Sequence, residues 1–310
     1  MRIAAAISSA CLMVAAGCGS AETGVADPIG ANDPGLIVFN GFSAPDGSFE
    51  PGDYWTMRPD GSELQPLDVA WVDEVAADEL SFSPGGRFVA ALTYRGDVVI
   101  SRPDGSEPRV VSVPQGRDAA WPSVSPDGTR LALVLAEHSP PWSRDLWTAA
   151  VGSDSLTRLS SKGRVENTAW SPDGAQIAFA SGYLDDIYVV RADGSDLRYL
   201  ARGGEPAWSP DGRRVAFSNA GGGVSVVDSG GGTPEVVSRK GRTPSWSPDG
   251  KRIAFLHTTP TFLRGTPCGH AACYRIFIVD AGGGQARPIG PRLAEADFLA
   301  WTAAPTPSRT

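Results

Sequence analysis

The chain is expected to be all-β and to fold as a six-bladed β-propeller of four-stranded antiparallel blades. The phrase Ser-Pro-Asp-Gly occurs four times, with final glycines at positions 128, 174, 212 and 250, after a degenerate copy, Ser83-Pro84-Gly85-Gly86. The glycines are 38 to 46 residues apart, which is the length of a four-stranded propeller blade. No long stretch has the period of an amphipathic helix.

Each residue of the repeated turn has a physical reason. Proline holds φ near −65°, which suits the first central position of a type I turn. The Asp carboxylate accepts hydrogen bonds from nearby backbone N–H groups, and Gly adopts the positive φ that leads into the next strand. The recurring Asp is therefore interpreted as structural rather than catalytic.

The sequence around each turn repeats as well. A short apolar strand follows the turn, then a strand of alternating pattern, a second turn such as Ala192-Asp193-Gly194-Ser195, and a short fourth strand. A large apolar residue precedes each turn, and we expect it to pack between neighbouring blades: Phe82, Val124, Trp170, Trp208 and Trp246.

The two ends of the repeat region complement each other. Leu36–Asn40 and Tyr54–Arg58 match the second and third strands of a blade that has no first strand. The segment from Asp297 to Trp301 matches a first strand that no second strand follows. We predict that this C-terminal strand completes the first blade, because such closure removes sheet edges that would otherwise aggregate. The propeller is assigned to residues 36–304, with 305–310 as a disordered tail.

The N-terminal residues predict an export signal. Arg2 precedes an apolar run from Ile3 to Gly17, which is too short to span a bilayer. The run ends Ala15-Ala16-Gly17-Cys18, which resembles a bacterial lipobox. The resemblance implies a signal peptide at 1–17, lipidation of Cys18, a flexible tether at 18–35 and anchoring to the outer face of the cell membrane. The alternative is an ordinary cleaved signal with an incidental Cys18.

Ala207-Trp208-Ser209-Pro210-Asp211-Gly212, together with the segment from Ile187 to Gly194, resembles the TolB-type repeat, a WD-like propeller repeat. The resemblance covers roughly residues 36 to 303. It implies a scaffold that binds other proteins, although the same repeat also forms gating propellers on prolyl-oligopeptidase-like hydrolases.

The sequence contains few motifs that indicate a catalytic, metal or nucleic-acid site. A net charge of −8 argues against nucleic-acid binding by phosphate neutralisation. The Gly-x-Ser-x-Gly turn of serine hydrolases is missing, and His138, His257 and His270 have no metal-ligand spacing. We therefore predict no catalytic residues, metal or other cofactor. Cys268 and Cys273 are expected to form a disulfide in an exported protein; a metal site with His270 is the less supported alternative.

Charged residues cluster where the first strands begin, at one mouth of the expected channel. They are either a solvated rim or an acidic funnel for a basic peptide or a cation: Asp78, Glu79, Arg117, Asp118, Glu166, Glu205, Arg242 and Asp297.

These observations favour a monomeric, non-catalytic scaffold, tethered to the membrane by its lipid, that binds a protein or a cell-envelope ligand. The alternatives are a propeller hydrolase or lyase that uses channel carboxylates, and a sensor module for a membrane partner.

Overall fold

The computed structural model describes residues 35–40, 54–67, 75–137, 143–153, 155–182, 186–259, 273–293 and 296–303, without the side chains of 75–79 and 259. These residues form strands and turns, and none of them belongs to a helix that could cross a membrane. The all-β prediction is confirmed. The signal, the tether, Cys18, His138, Cys268, His270 and the C-terminal tail lie outside the described residues.

The strands follow in chain order: β1 Leu36–Asn40, β2 Tyr54–Met57, β3 Gln65–Pro66, β4 Val75–Phe82, β5 Val89–Thr93, β6 Val98–Ser101, β7 Arg109–Val111, β8 Arg117–Val124, β9 Arg130–Glu137, β10 Arg144–Ala150, β11 Leu156–Arg158, β12 Val165–Trp170, β13 Gln176–Ser181, β14 Asp186–Arg191, β15 Arg198–Trp208, β16 Arg214–Asn219, β17 Val224–Asp228, β18 Glu235–Ser238, β19 Arg242–Trp246, β20 Arg252–Thr259, β21 Cys273–Asp280, β22 Arg287–Leu293 and β23 Leu299–Thr302.

The strands form antiparallel sheets in a propeller-like arrangement. Four sheets have four strands each, in the orders β23-β1-β2-β3, β4-β5-β6-β7, β8-β9-β10-β11 and β19-β20-β21-β22. The fifth has seven, β12 to β18 in chain order. Its central strand, β15, pairs with β14 through Arg198–Arg202 and with β16 through Gly203–Trp208.

The two ends of the described chain pair in one sheet. Ile37 lies opposite Trp301 and Phe39 lies opposite Leu299, in antiparallel register. On its other side, β1 pairs with β2. The predicted pairing of the last strand with the first is therefore confirmed.

Sheets pack against their neighbours through their second strands. The run Leu131–Leu135 on β9 is almost completely buried, since other sheets cover both of its faces, and it reads as a continuous apolar run rather than an alternating one. Separate apolar clusters form between neighbouring sheets, and another forms between the two halves of the seven-stranded sheet.

A tryptophan at the end of each of β12, β15 and β19 links that strand to an earlier one. In each case the indole N–H donates to the backbone carbonyl oxygen of the penultimate residue of β8, β12 or β15, respectively. The bonds are Trp170 to Ser123 at 2.9 Å, Trp208 to Ala169 at 3.1 Å and Trp246 to Ala207 at 3.1 Å. Trp170 and Trp246 therefore bond to a neighbouring sheet, as predicted, whereas the bond of Trp208 lies within the seven-stranded sheet.

The repeated turn is organised by its Asp and Ser side chains. In the copy at Ser209–Gly212, the Ser209 hydroxyl donates to the Asp211 carboxylate at 2.6 Å and accepts the N–H of Arg214 at 3.0 Å. Asp211 also accepts the N–H of Arg213 at 3.1 Å. The other three copies make the same bonds. The structural interpretation of the Asp is confirmed.

The indole hydrogen bond predicts that replacing Trp246 by Phe destabilises the fold more than replacing Trp301 by Phe. Trp246 and Trp301 are both buried under an arginine guanidinium, at 4.8 and 5.9 Å from the ring centroid. The Trp301 indole N–H, unlike that of Trp246, has no hydrogen-bond partner among the described residues. Trp246→Phe should therefore lower the free energy of unfolding by about 1–3 kcal/mol more than Trp301→Phe. Urea unfolding measures both, and equal losses would show that the bond contributes nothing.

The turn carboxylates predict acid sensitivity. Hydrogen bonds from Ser125, Ser171 and Ser209 and from backbone N–H groups lower the pKa of Asp127, Asp173 and Asp211 below its ordinary value of 3.8, although burial opposes the shift. A carboxyl whose pKa is lower when folded stabilises the fold above the unfolded pKa and loses that effect as the pH falls through the folded pKa. The free energy of unfolding should therefore decrease as the pH is lowered below about 4.

Urea titrations at pH 6 and pH 3 test this. The triple variant Asp127→Asn, Asp173→Asn, Asp211→Asn should be less stable than the parent at pH 6 and lose less stability between the two pH values. If the variant and the parent lose the same amount, the turn carboxylates do not cause the acid sensitivity.

Candidate functional site

A cavity of about 850 Å³ lies between the first strands of the sheets. Residues of β4, β8, β12, β15, β19 and β23 line it. Three prolines occupy the same repeat position on its wall, two residues before the end of their strands: Pro122, Pro206 and Pro244. Prolines of the Ser-Pro-Asp-Gly turns line one mouth. The wall is thus largely apolar and conformationally restricted.

A β-bulge interrupts each of β8, β12, β15 and β19, and each of these bulges carries a non-glycine residue with positive φ. Each of these residues lines the cavity: Trp121 (φ 46°), Asn167 (φ 52°), Glu205 (φ 52°) and Thr243 (φ 52°). This conformation is costly for bulky and β-branched residues and occurs often at functional sites. Bulges also re-aim side chains, so these residues define the character of the wall.

Of these four residues, only Glu205 is among the site residues predicted from the sequence. The signal that would have found the others is their spacing. Each lies three residues before the large apolar residue that precedes the turn.

Glu205 holds three strands together. Its carboxylate accepts hydrogen bonds from the Ser218 hydroxyl on β16, and from the backbone N–H and hydroxyl of Thr243 on β19 at 2.7 and 3.1 Å. Arg242 lies 3.8 Å away. The Glu205 carboxylate therefore stabilises the bulge at Thr243, and these hydrogen bonds already engage both of its oxygens.

Arg242 and Asp297 also line the cavity and bind the closing segment. Arg242 donates to the carbonyl of Ala296 at 2.6 Å, and its guanidinium lies 5.1 Å from the centre of the Tyr274 ring. The Asn40 amide donates to the Asp297 carboxylate, and the Asn40 oxygen accepts the Asp297 N–H at 3.2 Å. Both charged residues help to position the last strand.

The other predicted site residues do not line the cavity with described side chains. Glu166 pairs with Arg144 at 2.8 Å, and the Arg144 guanidinium lies 5.5 Å from the Trp121 ring. Arg117 pairs with Glu137 at 3.5 Å, and Asp118 follows it at the start of β8. Asp78 and Glu79 belong to β4, but their side chains are not among those described.

Metal-ligating groups and cysteines add little to this cavity. Among the described residues, no three His, Cys, Asp or Glu side chains are placed to share a metal ion. Cys273 is buried at the start of β21, and its predicted disulfide with Cys268 stays a prediction.

Solved structures resemble this arrangement at low sequence identity. TolB from Acinetobacter baumannii superimposes with a TM-score of 0.65 at 17% identity, over 86% of this chain and 66% of its own. The chain has a TolB-like β-propeller fold. An oligogalacturonate lyase in complex with manganese superimposes on this propeller with a TM-score of 0.55 at 12% identity, over 77% of this chain and 70% of its own.

Sequence comparison agrees over a shorter region. A TolB homologue from Chlorobium luteolum is 34% identical over 95 residues, which are 29% of this chain and 21% of the homologue. The chain thus matches about a fifth of the length of this relative. No protein-family model matches the chain.

Two glutamates of the predicted site should differ in their contribution to stability. Glu205→Ala removes the acceptor of three hydrogen bonds and leaves the Ser218 hydroxyl as the remaining acceptor of the Thr243 N–H, at 3.0 Å, which should cost about 2–3 kcal/mol. Glu166→Ala breaks one half-exposed ion pair and should cost at most about 1 kcal/mol. Urea unfolding of both variants measures the difference. Equal costs would mean that Glu205 does not organise the bulge.

Proposed function

We propose that the protein is a non-catalytic, six-bladed TolB-like propeller of the cell envelope, tethered to the outer face of the membrane by lipidated Cys18. Its central cavity binds a protein or another envelope ligand. The observation that carries this proposal is the set of cavity residues held at positive φ, Trp121 above all.

The count of six blades rests on contacts between first strands. β4 contacts β8, β8 contacts β12, β12 contacts β15, β15 contacts β19, β19 contacts β23, and β23 returns to β4. In the seven-stranded sheet, β15 then serves as the fourth strand of one blade and the first strand of the next. Six sheets of four strands follow from this division.

Two side chains of the cavity wall, Trp121 and Asn167, support the binding proposal. The backbone strain at Trp121 persists only because its surroundings impose it, which is common where a site must be preorganised. Its ring is only half-buried. The Asn167 side chain has no hydrogen-bond partner among the described residues and lines the same wall. A half-buried aromatic ring beside an available amide suits the recognition of a polypeptide segment.

The point where the chain enters the propeller favours one mouth of the cavity as the one nearer the membrane. Gly35 packs against Thr302 and Pro248, so the chain enters the propeller on the face of the Ser-Pro-Asp-Gly turns. The mouth where the first strands begin, with the predicted charged residues, then faces away from the lipid and receives the ligand. The Cys268–Cys273 disulfide belongs to the same exported state, and a mass shift on reduction would detect it.

Site-specific photocrosslinking in intact cells tests the binding proposal. A photoreactive residue replaces Asn167 in the cavity or, as a matched control, Val110, which is 56% exposed on the outer strand β7. The proposal expects one defined adduct from position 167 and none from position 110, and Trp121→Ala should reduce its yield. Products of equal yield at both positions, or no product at 167, would refute a cavity partner.

Fractionation tests the tether separately. Cys18→Ser should move the protein from the membrane fraction to the soluble fraction, because a single apolar signal without lipid does not anchor the mature chain. A variant that stays in the membrane would rule out a lipid anchor at Cys18.

The likeness to oligogalacturonate lyase favours one alternative, a lyase that uses cavity carboxylates. The purified chain is assayed with oligogalacturonate, with and without manganese, beside Glu205→Gln. Turnover that Glu205→Gln abolishes would replace the scaffold proposal.

A further inference from the structure

A second cavity, of about 660 Å³, lies away from the central one, between β18 of one sheet and β20 and β21 of the next. Its apolar floor is formed by Val237, Phe255, Phe277 and Ala286. Arg239, Lys240 and His257 lie at one end, and Gly284 lies at the other. We call this cavity the β18 groove.

The chain contains a second, filled version of this groove. The connector Ser-Arg-Lys-Gly-Arg at 238–242 matches Ser-Ser-Lys-Gly-Arg at 160–164. At the earlier copy, the Lys162 ammonium lies 4.5 Å from the centre of the Tyr188 ring, which stacks on Phe179 at 5.8 Å. That lysine lies over the tyrosine of the aromatic pair, and we call this copy the filled groove.

The β18 groove has the same aromatic pair without the lysine over it. Phe255 and Phe277 stack at 5.9 Å, in the positions of Phe179 and Tyr188. Lys240 occupies the position of Lys162 but makes no contact with an aromatic ring in the described structure. Phe255 is 1% exposed and His257 packs on one side of Phe277 at 5.6 Å, so the half-buried part of Phe277 lies beside an available ammonium group.

The two grooves also differ in charge. In the filled groove, Arg158 pairs with the buried carboxylate of Asp145 at 2.5 Å. The matching positions in the β18 groove are Val236, which is 60% exposed, and Gly223, so that carboxylate is missing. The acidic residue of β18, Glu235, does not line the cavity.

Two cations at one end of the groove are exposed to solvent. The side chains of Arg239 and Lys240 are exposed and have no ion-pair partner among the described residues. Burial, and then the positive charge of Lys240, lower the pKa of His257 below 6.5. This end of the groove is therefore positive in a protein whose net charge is −8.

We propose that the β18 groove binds an amphiphilic carboxylate of the fatty-acid type. The hydrocarbon chain lies on Phe277, Ala286 and the exposed Val236, and the carboxylate lies between Arg239 and Lys240. An extended peptide fits less well, because the apolar floor offers few partners for its backbone N–H and C=O groups. A charged head held by arginine and lysine also gives the ligand one direction in the groove.

Calorimetric titration of the purified protein with dodecanoate tests the proposal. Dodecanol and dodecyltrimethylammonium have the same chain with a neutral or a cationic head, and acetate has the head without the chain. The variants are Arg239→Gln with Lys240→Gln, and Val236→Asp, which places a negative charge at the rim. Arg213→Gln, which removes an exposed cation far from the groove, is the matched control.

Dodecanoate should bind at one site, at least tenfold more tightly than the other three probes. The double variant and Val236→Asp should each weaken this binding at least tenfold, while Arg213→Gln leaves it unchanged. Circular dichroism confirms that each variant is folded. The proposal is overturned if binding does not saturate, if acetate or the cationic amphiphile binds as well, or if all variants retain parental affinity.

Discussion

The pairing of β23 with β1 is the constraint on which the rest of the molecule depends. It joins segments from opposite ends of the chain in one antiparallel sheet. The Asn40–Asp297 contacts and the Arg242–Ala296 bond hold the closing segment on both sides. Without this strand, β4 and β19 would each lose a neighbour, and the cavity would lose one wall. Closure therefore sets both the geometry of the cavity and the protection of the sheet edges.

A second set of interactions joins neighbouring strands of the cavity wall, namely β8 to β12, β12 to β15 and β15 to β19. The indole bonds from Trp170, Trp208 and Trp246 each end on a backbone carbonyl of the preceding first strand. A backbone acceptor does not depend on the identity of the side chain at that position. The contact can therefore repeat around the molecule while the cavity residues of each strand differ. The repeated tryptophan contacts are therefore compatible with cavity side chains that differ from strand to strand.

The local signals in the sequence predicted the strands and turns well, because each Ser-Pro-Asp-Gly turn is determined by its own four residues. Closure was also predictable, since the incomplete repeats at the two ends complement each other. The wall of the cavity was harder to predict. Glu166 and Glu205 look alike in the sequence, but Glu205 lies at the bulge position and Glu166 one position earlier, so only Glu205 lines the cavity. Strand alternation cannot locate a bulge, and the β18 groove depends on the placement of Lys240, which no sequence pattern records.

The two matched connectors show what repetition permits. Lys162 still covers its aromatic pair, whereas Lys240 no longer does, and yet the strands around both keep the same pairing. The sheet tolerates this local difference because neither the Ser-Pro-Asp-Gly turns nor the tryptophan hydrogen bonds involve the two lysines. Repeated units of this kind can diverge one at a time, so one unit can acquire a new binding surface while the other units preserve the fold.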